Sequence, residues 1–152
     1  MSKIIDRQSN INQLSFPQIG MLSTIPLISL NGNEKFLLDI NRKGQIKLSK
    51  CTYQTRYRTA VVLLRLDIDG PAHPNPMVES VPLSELEPYN GQIIECPHLH
   101  IYVEGFMDKW AIPAPVDRFP DTSNLIRTFH NFCSLCNINI NVVSIMQWRL
   151  FI

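Results

Sequence analysis

Between residues 25 and 68 the apolar side chains recur with period two and are interrupted at short intervals by turn-forming residues, a pattern that fits a meander of β-strands and no helix. The expected strands are 25–30, 35–40 and 45–53, separated by Asn31-Gly32-Asn33 and Asn41-Arg42-Lys43-Gly44. Residues 56–68 form the most strand-like stretch. Tyr57, Thr59, Val61 and Leu63 alternate there with Ala60, Val62, Leu64 and Leu66, so both faces of its middle are apolar and it belongs inside the sheet.

The pattern changes on either side of this meander. Residues 71–97 carry Pro71, Pro74, Pro76, Pro82, Pro88 and Pro97, too many for a long regular element, and read as a loop. Residues 98–104 return to alternation, with a turn over 105–108 and a short strand over 109–112, which predicts a hairpin. A helix is expected over 122–136, capped by Asp121 or Ser123, with Leu125, Ile126, Phe129, Phe132, Cys133 and Cys136 on one stripe. A short N-terminal helix within 3–14 and a last strand over 141–148 complete the expectation. The chain of 152 residues, 45% hydrophobic, is long enough to bury a core, and no apolar run reaches the length of a membrane span. It therefore reads as one α+β domain over 1–152: a curved antiparallel sheet with one C-terminal helix packed on it, in a cytoplasmic protein without membrane contact. Four cysteines are too few for a disulfide scaffold.

Fourteen Lys+Arg balance thirteen Asp+Glu, which argues against a uniformly basic, nucleic-acid-coating surface. The charges are nevertheless segregated. Residues 42–65 carry Arg42, Lys43, Lys47, Lys50, Arg56, Arg58 and Arg65 with no acid, whereas residues 66–121 carry ten acids against Lys109 and Arg118. A basic meander of this kind can follow a polyanion backbone, and Lys47, Lys50, Arg56 and Arg58, interleaved with Tyr53 and Tyr57, are the candidate nucleic-acid-binding residues.

The segment Pro97-His98-Leu99-His100-Ile101-Tyr102-Val103-Glu104 holds the most unusual local chemistry. On a strand, His98, His100, Tyr102 and Glu104 share one face. Arg65, Asp67 and Asp69 share a face of the preceding strand, and antiparallel pairing would merge the two, with His73 on the adjoining rim. In one reading, His98 and His100 are the general base and acid of a metal-independent ribonuclease, Arg65 stabilises the phosphate charge and Tyr102 stands nearby. In a second, His98 and His100 with His73 or Asp67 hold a divalent metal; in a third, the histidines are half-buried strand residues bonded to Asp67, Glu104 or backbone. No resident cofactor is expected on the first reading. Cys133 and Cys136 read as core packing, Cys96 as the better candidate for a reactive thiol, His130 as a surface residue, and Trp110 and Trp148 as packed. A Gly-rich phosphate loop, a nucleophile elbow and a dinucleotide fingerprint are all missing from the sequence.

The strings Leu64-Arg65-Leu66-Asp67, Gly70-Pro71-Ala72-His73-Pro74-Asn75-Pro76, Pro97-His98-Leu99-His100-Ile101-Tyr102-Val103-Glu104-Gly105 and Asp108-Lys109-Trp110-Ala111 resemble a small family of bacterial and phage proteins known as a domain of unknown function. The resemblance runs from about residue 57 to the C-terminal helix and implies a prophage or mobile-element setting. More loosely, the chain is similar to TumE-type toxins, whose core joins an Arg-x-Asp strand end to a histidine-bearing loop and a Pro-His-x-x-His segment; here that segment is Pro-His-x-His. This similarity implies a toxin-like protein acting on RNA, with an antitoxin-like partner. The rival expectation is a non-enzymatic phage or prophage protein that binds and inhibits a host defence protein through complementary charge and the 71–97 loop.

Overall fold

A computed structural model of the chain describes residues 1–6, 15–44 and 47–140. Ten strands and one α-helix follow in the order β1 (Lys3–Ile5), β2 (Leu22–Ser29), β3 (Lys35–Asn41), β4 (Cys51–Tyr57), β5 (Val61–Ile68), β6 (His73–Pro74), β7 (Ile93–Ile94), β8 (His98–Val103), β9 (Met107–Pro113), α1 (Leu125–Leu135) and β10 (Ile138–Asn139), with a 3₁₀ helix at Ser84–Tyr89. Eight strands form one open sheet in the order β10-β1-β2-β3-β4-β5-β8-β9, antiparallel except where β10 pairs with β1. The expected α+β domain, a mostly antiparallel sheet with one C-terminal helix, is what the structure shows. Among the described residues no helix is long and apolar enough to cross a membrane.

Alternation decides which face is core. Ile25, Leu27, Phe36, Leu38, Ile40, Tyr53, Leu66 and Leu99 lie on one face and are buried with Phe129, Phe132, Cys133 and Cys136 of α1. The Tyr53 hydroxyl donates to the Leu125 carbonyl at 2.7 Å, so the largest polar group on this face is satisfied at the helix start. A smaller apolar cluster joins Trp110 and Val103 to Leu86 of the 3₁₀ helix.

The turns explain where expectation and structure part. At Gly32 and Gly105 the chain takes φ of 74° and 81°, values that glycine adopts without a Cβ clash, and these two turns lie where the sequence placed them. Residues 56–68 are not one strand: β4 ends at Tyr57 and β5 begins at Val61, because Arg58 adopts φ 54° and turns the chain without glycine. The strand expected over 45–53 begins only at Cys51; before it, Arg42 folds inward and donates to the carbonyls of Pro17 (3.2 Å) and Leu48 (2.7 Å).

Lys3–Ile5 is a strand and not the first turn of a helix. Its backbone bonds go to β2 and β10, and the Lys3 ammonium donates to the Cys136 carbonyl at 2.7 Å. The rest of the expected N-terminal helix, residues 7–14, and the expected strand over 141–148 with Trp148 lie outside the described residues. The helix is capped by Asn124, whose side chain accepts from the Arg127 N–H at 3.0 Å; Asp121 instead accepts from Ser123.

The Pro-rich segment is more ordered than a loop. β6 pairs with β7, and the Asn75 side chain bonds both the N–H and the C=O of Ala111 at 2.8 Å. A single side chain thus satisfies part of the free edge of β9, where an unpaired ladder would otherwise invite another chain.

Candidate functional site

The face opposite α1 carries a polar row fixed by strand register. Thr24, Asp39, Gln54, Arg65, His100 and Ala111 are successive cross-strand partners from β2 to β9, and beside them run Asn41, Thr52, Asp67, His98 and Pro113. Side-chain hydrogen bonds link several of these neighbours. Thr24 and Gln54 donate to Asp39 at 2.7 Å each, Arg56 donates to it through Nε at 2.6 Å and Nη2 at 3.0 Å, and Thr52 donates to Asp67 at 2.7 Å.

At the β5–β8 end the row becomes a cluster around Arg65. Its Nε donates to Asp67 Oδ2 (3.1 Å), Nη1 to Asp108 Oδ2 (2.7 Å) and Nη2 to His100 Nε2 (2.8 Å). His100 Nδ1–H in turn donates to the Asp108 carbonyl at 2.9 Å. The carbonyl can only accept, so the ring proton sits on Nδ1 and Nε2 is the acceptor for the guanidinium. Asp67 Oδ2 lies 3.4 Å from His98 Nε2 and 3.3 Å from His100 Nε2. Burial opposes charge on Asp67, yet the Arg65 guanidinium and the Thr52 hydroxyl that donate to it hold the carboxyl well below the usual carboxylate range.

His73, from β6, covers the cluster. Its ring meets His100 edge-on at 4.4 Å and lies 6.0 Å from His98, while its Nε2–H donates to the Lys109 carbonyl at 2.8 Å. Burial lowers the affinity of His73 for a proton; the neighbouring His100, His98 and Arg65 add to this against the Lys109 carbonyl. With that cover in place, His98 and His100 are 1% and 0% exposed. Cys96 lies at the edge, its Sγ 3.5 Å from His98 Nδ1, with the thiol pushed up chiefly by burial.

The structure thus brings together Arg65, Asp67, His98 and His100, as alternation on paired strands predicts, with His73 at their rim. Other expected members stand apart. Tyr102 is 42% exposed, and no hydrogen bond among the described residues joins it to the cluster. Asp69 leaves the strand at φ 53° and binds Ser49 and Lys47 instead. Asp108 is the member the sequence reading missed. The register shift between Ile101 and Val103 sets Asp108 and Lys109 opposite the single residue Tyr102, a bulge that re-aims a side chain. The only signal in the sequence is a carboxylate one hairpin turn away from the His-x-His strand.

The four residues expected to hold nucleic acid fall into two pairs at the two ends of β4. Arg56 is tied to Asp39, and Arg58 lies over the Tyr57 ring at 5.1 Å beyond the end of β4. Lys47 pairs with Asp69 at 3.5 Å, and Lys50 lies beside Gly44, both before the start of that strand. A seven-residue strand separates the two pairs by about 20 Å.

No curated protein and no solved structure matches the chain. One family model does, over residues 1–138. It takes in β1 to β9, α1 and the whole Arg65 cluster, so the N-terminal meander and the histidine strand fall within one family match. The chain is a member of the family of unknown function DUF6978.

Proposed function

We propose that the protein is a toxin-like, mobile-element-associated protein of the cytoplasm that cleaves RNA without a resident metal, using the Arg65–Asp67–His98–His100 cluster. The observation that carries this reading is the triangle of Arg65, His100 and Asp67, with His100 Nε2 at 2.8 Å from the guanidinium and 3.3 Å from the carboxylate. A proton arriving at Nε2 converts it from acceptor to donor and turns its favourable contact from Arg65 to Asp67. Nη2 of Arg65 is then free to donate to a phosphate oxygen.

In this mechanism His98 takes the 2′-hydroxyl proton as the 2′-oxygen attacks phosphorus. The P–O5′ bond breaks as protonated His100 gives its proton to the leaving oxygen, leaving a 2′,3′-cyclic phosphate and a 5′-hydroxyl. Access requires the His73 segment to move off the two rings. Purified protein incubated in EDTA with matched RNA and DNA oligonucleotides tests the reading: RNA is cut to cyclic-phosphate ends and DNA is untouched. Absence of RNA cleavage contradicts it.

A second reading, a non-enzymatic binder of a host protein, is favoured by a different observation. Arg42, Lys47, Arg56 and Arg65 of the basic segment all have partners within the chain, while Met77 and Ile93 of the Pro-rich segment are 81% and 68% exposed. Tight binding to one host protein, with no affinity for RNA, supports this alternative.

A further inference from the structure

His98 and His100 both turn Nδ1 toward backbone carbonyls, Glu95 at 3.3 Å and Asp108 at 2.9 Å. With the protons held on Nδ1, each Nε2 keeps its lone pair. Both lone pairs approach one anionic atom, Asp67 Oδ2, at 3.4 and 3.3 Å. Three electron-rich atoms this close repel one another unless positive charge lies among them. Arg65 supplies such charge to His100 and Asp67 only. His98 Nε2 receives no comparable donor among the described residues, although its ring is 1% exposed.

We infer that Asp67, His98 and His100 form a binding site for a divalent transition ion of the zinc class, taken up in place of the Arg65–His100 contact. The ligand atoms lie within 4.8 Å of one another. A tetrahedral ion with bonds of about 2.0–2.1 Å sets its ligands about 3.3 Å apart, which is the spacing of both nitrogen-to-oxygen edges. Two imidazoles and one carboxylate suit zinc and its neighbours over magnesium or calcium, which prefer an all-oxygen shell. The carbonyls of Glu95 and Asp108 already provide the outer hydrogen bonds that orient metal-bound histidines. Water completes the fourth position.

Arg65 is the competitor. Its Nη2 covers the His100 lone pair, and its charge repels a cation, but Nη1 stays anchored on Asp108 at 2.7 Å when Nη2 is displaced. The site stands on its own geometry, independent of the proposed RNA cleavage. If both hold, the ion occupies the same nitrogens that move protons and acts as an inhibitor.

Titration of the purified full-length chain with zinc sulfate, followed by calorimetry and by thermal unfolding, tests the site. The wild type takes up one ion per chain and unfolds at a higher temperature with zinc, and magnesium has no effect. Asp67→Asn and His98→Ala lose the ion. Arg65→Gln, which removes the competing charge, binds it about tenfold more tightly, a gain that misfolding cannot produce. The inference is overturned if neither wild type nor Arg65→Gln binds zinc stoichiometrically. It is equally overturned if zinc binding survives both ligand substitutions and is lost in Cys133→Ser/Cys136→Ser, which would place the ion on the thiols. RNA cleavage is not read in this experiment, so its absence leaves the site untouched.

Discussion

Arg65 and His100 stand directly opposite each other on β5 and β8, with Nη2 of the guanidinium 2.8 Å from Nε2 of the imidazole. A buried imidazole accepting from a guanidinium is neutral, and its other nitrogen is spent on a backbone carbonyl. His100→Ala leaves both the Arg65 Nη2 donor and the Asp108 carbonyl without this partner. Loss of such a buried pairing costs about 1–3 kcal/mol. Urea unfolding at neutral pH reads the loss, and a variant as stable as the wild type contradicts the pairing.

His73 closes the cluster by packing its ring 4.4 Å from that of His100. Removing the ring opens the two imidazoles to solvent while leaving their partners in place. His73→Ala is therefore expected to raise the rate of RNA cleavage several-fold, measured with a labelled oligonucleotide in EDTA. A fall to background in a folded His73→Ala protein assigns His73 to the chemistry instead of to the cover.

How much of this was legible in the residues depends on the periodicity of each element. Arg65, Asp67, His98 and His100 were legible because period-two strands leave no freedom over which side chains share a face once the pairing is antiparallel. Asp108 was hidden by a bulge, which inserts one residue and breaks that period. The β4–β5 turn was hidden because Arg58 takes a left-handed conformation without the Asn-Gly or Asp-Gly signal that marks most tight hairpins. The basic segment looked like a binding surface because most of the acids that neutralise it, Asp39, Asp69 and Asp108, lie elsewhere in the chain and meet their partners only in the folded sheet.

Asp39 makes the stability depend on pH. Burial opposes its charge, but bonds from Arg56, Gln54 and Thr24 outweigh this and bring its carboxyl below the ordinary value. A group depressed in the folded state contributes stability above its unfolded value, near pH 4, and loses that contribution as pH falls through the lower folded value. The wild type therefore loses stability below about pH 4 more steeply than Asp39→Asn. At neutral pH, Arg56→Ala strands a nearly buried carboxylate and costs about 3 kcal/mol. Denaturant curves at pH 7 and pH 3 for the three proteins check both points, and parallel pH dependence of wild type and Asp39→Asn refutes the first.

Of the four free cysteines, Cys51, Cys133 and Cys136 are buried and only Cys96 is partly exposed. Burial raises all four thiols, Cys51 to about 11 and Cys136 to about 12. A thiol reagent at pH 8 is expected to modify Cys96 first and the other three only on unfolding. Mass mapping of the labelled protein identifies the site; early labelling of Cys133 or Cys136 contradicts the packing of α1.

The Asn124 side chain is the N-cap of α1. Asn124→Ala is expected to cost about 1 kcal/mol, and Ser123→Ala less than about 0.5 kcal/mol. Thermal unfolding of the two variants separates them, and the reverse order would move the cap to Ser123.

The most direct test of the central claim compares RNA cleavage in EDTA by the wild type and by His98→Ala/His100→Ala, with circular dichroism confirming that the double variant is folded. The cluster as an acid–base centre predicts a loss of at least about 100-fold. Unchanged cleavage in the folded double variant, or none by the wild type, contradicts it.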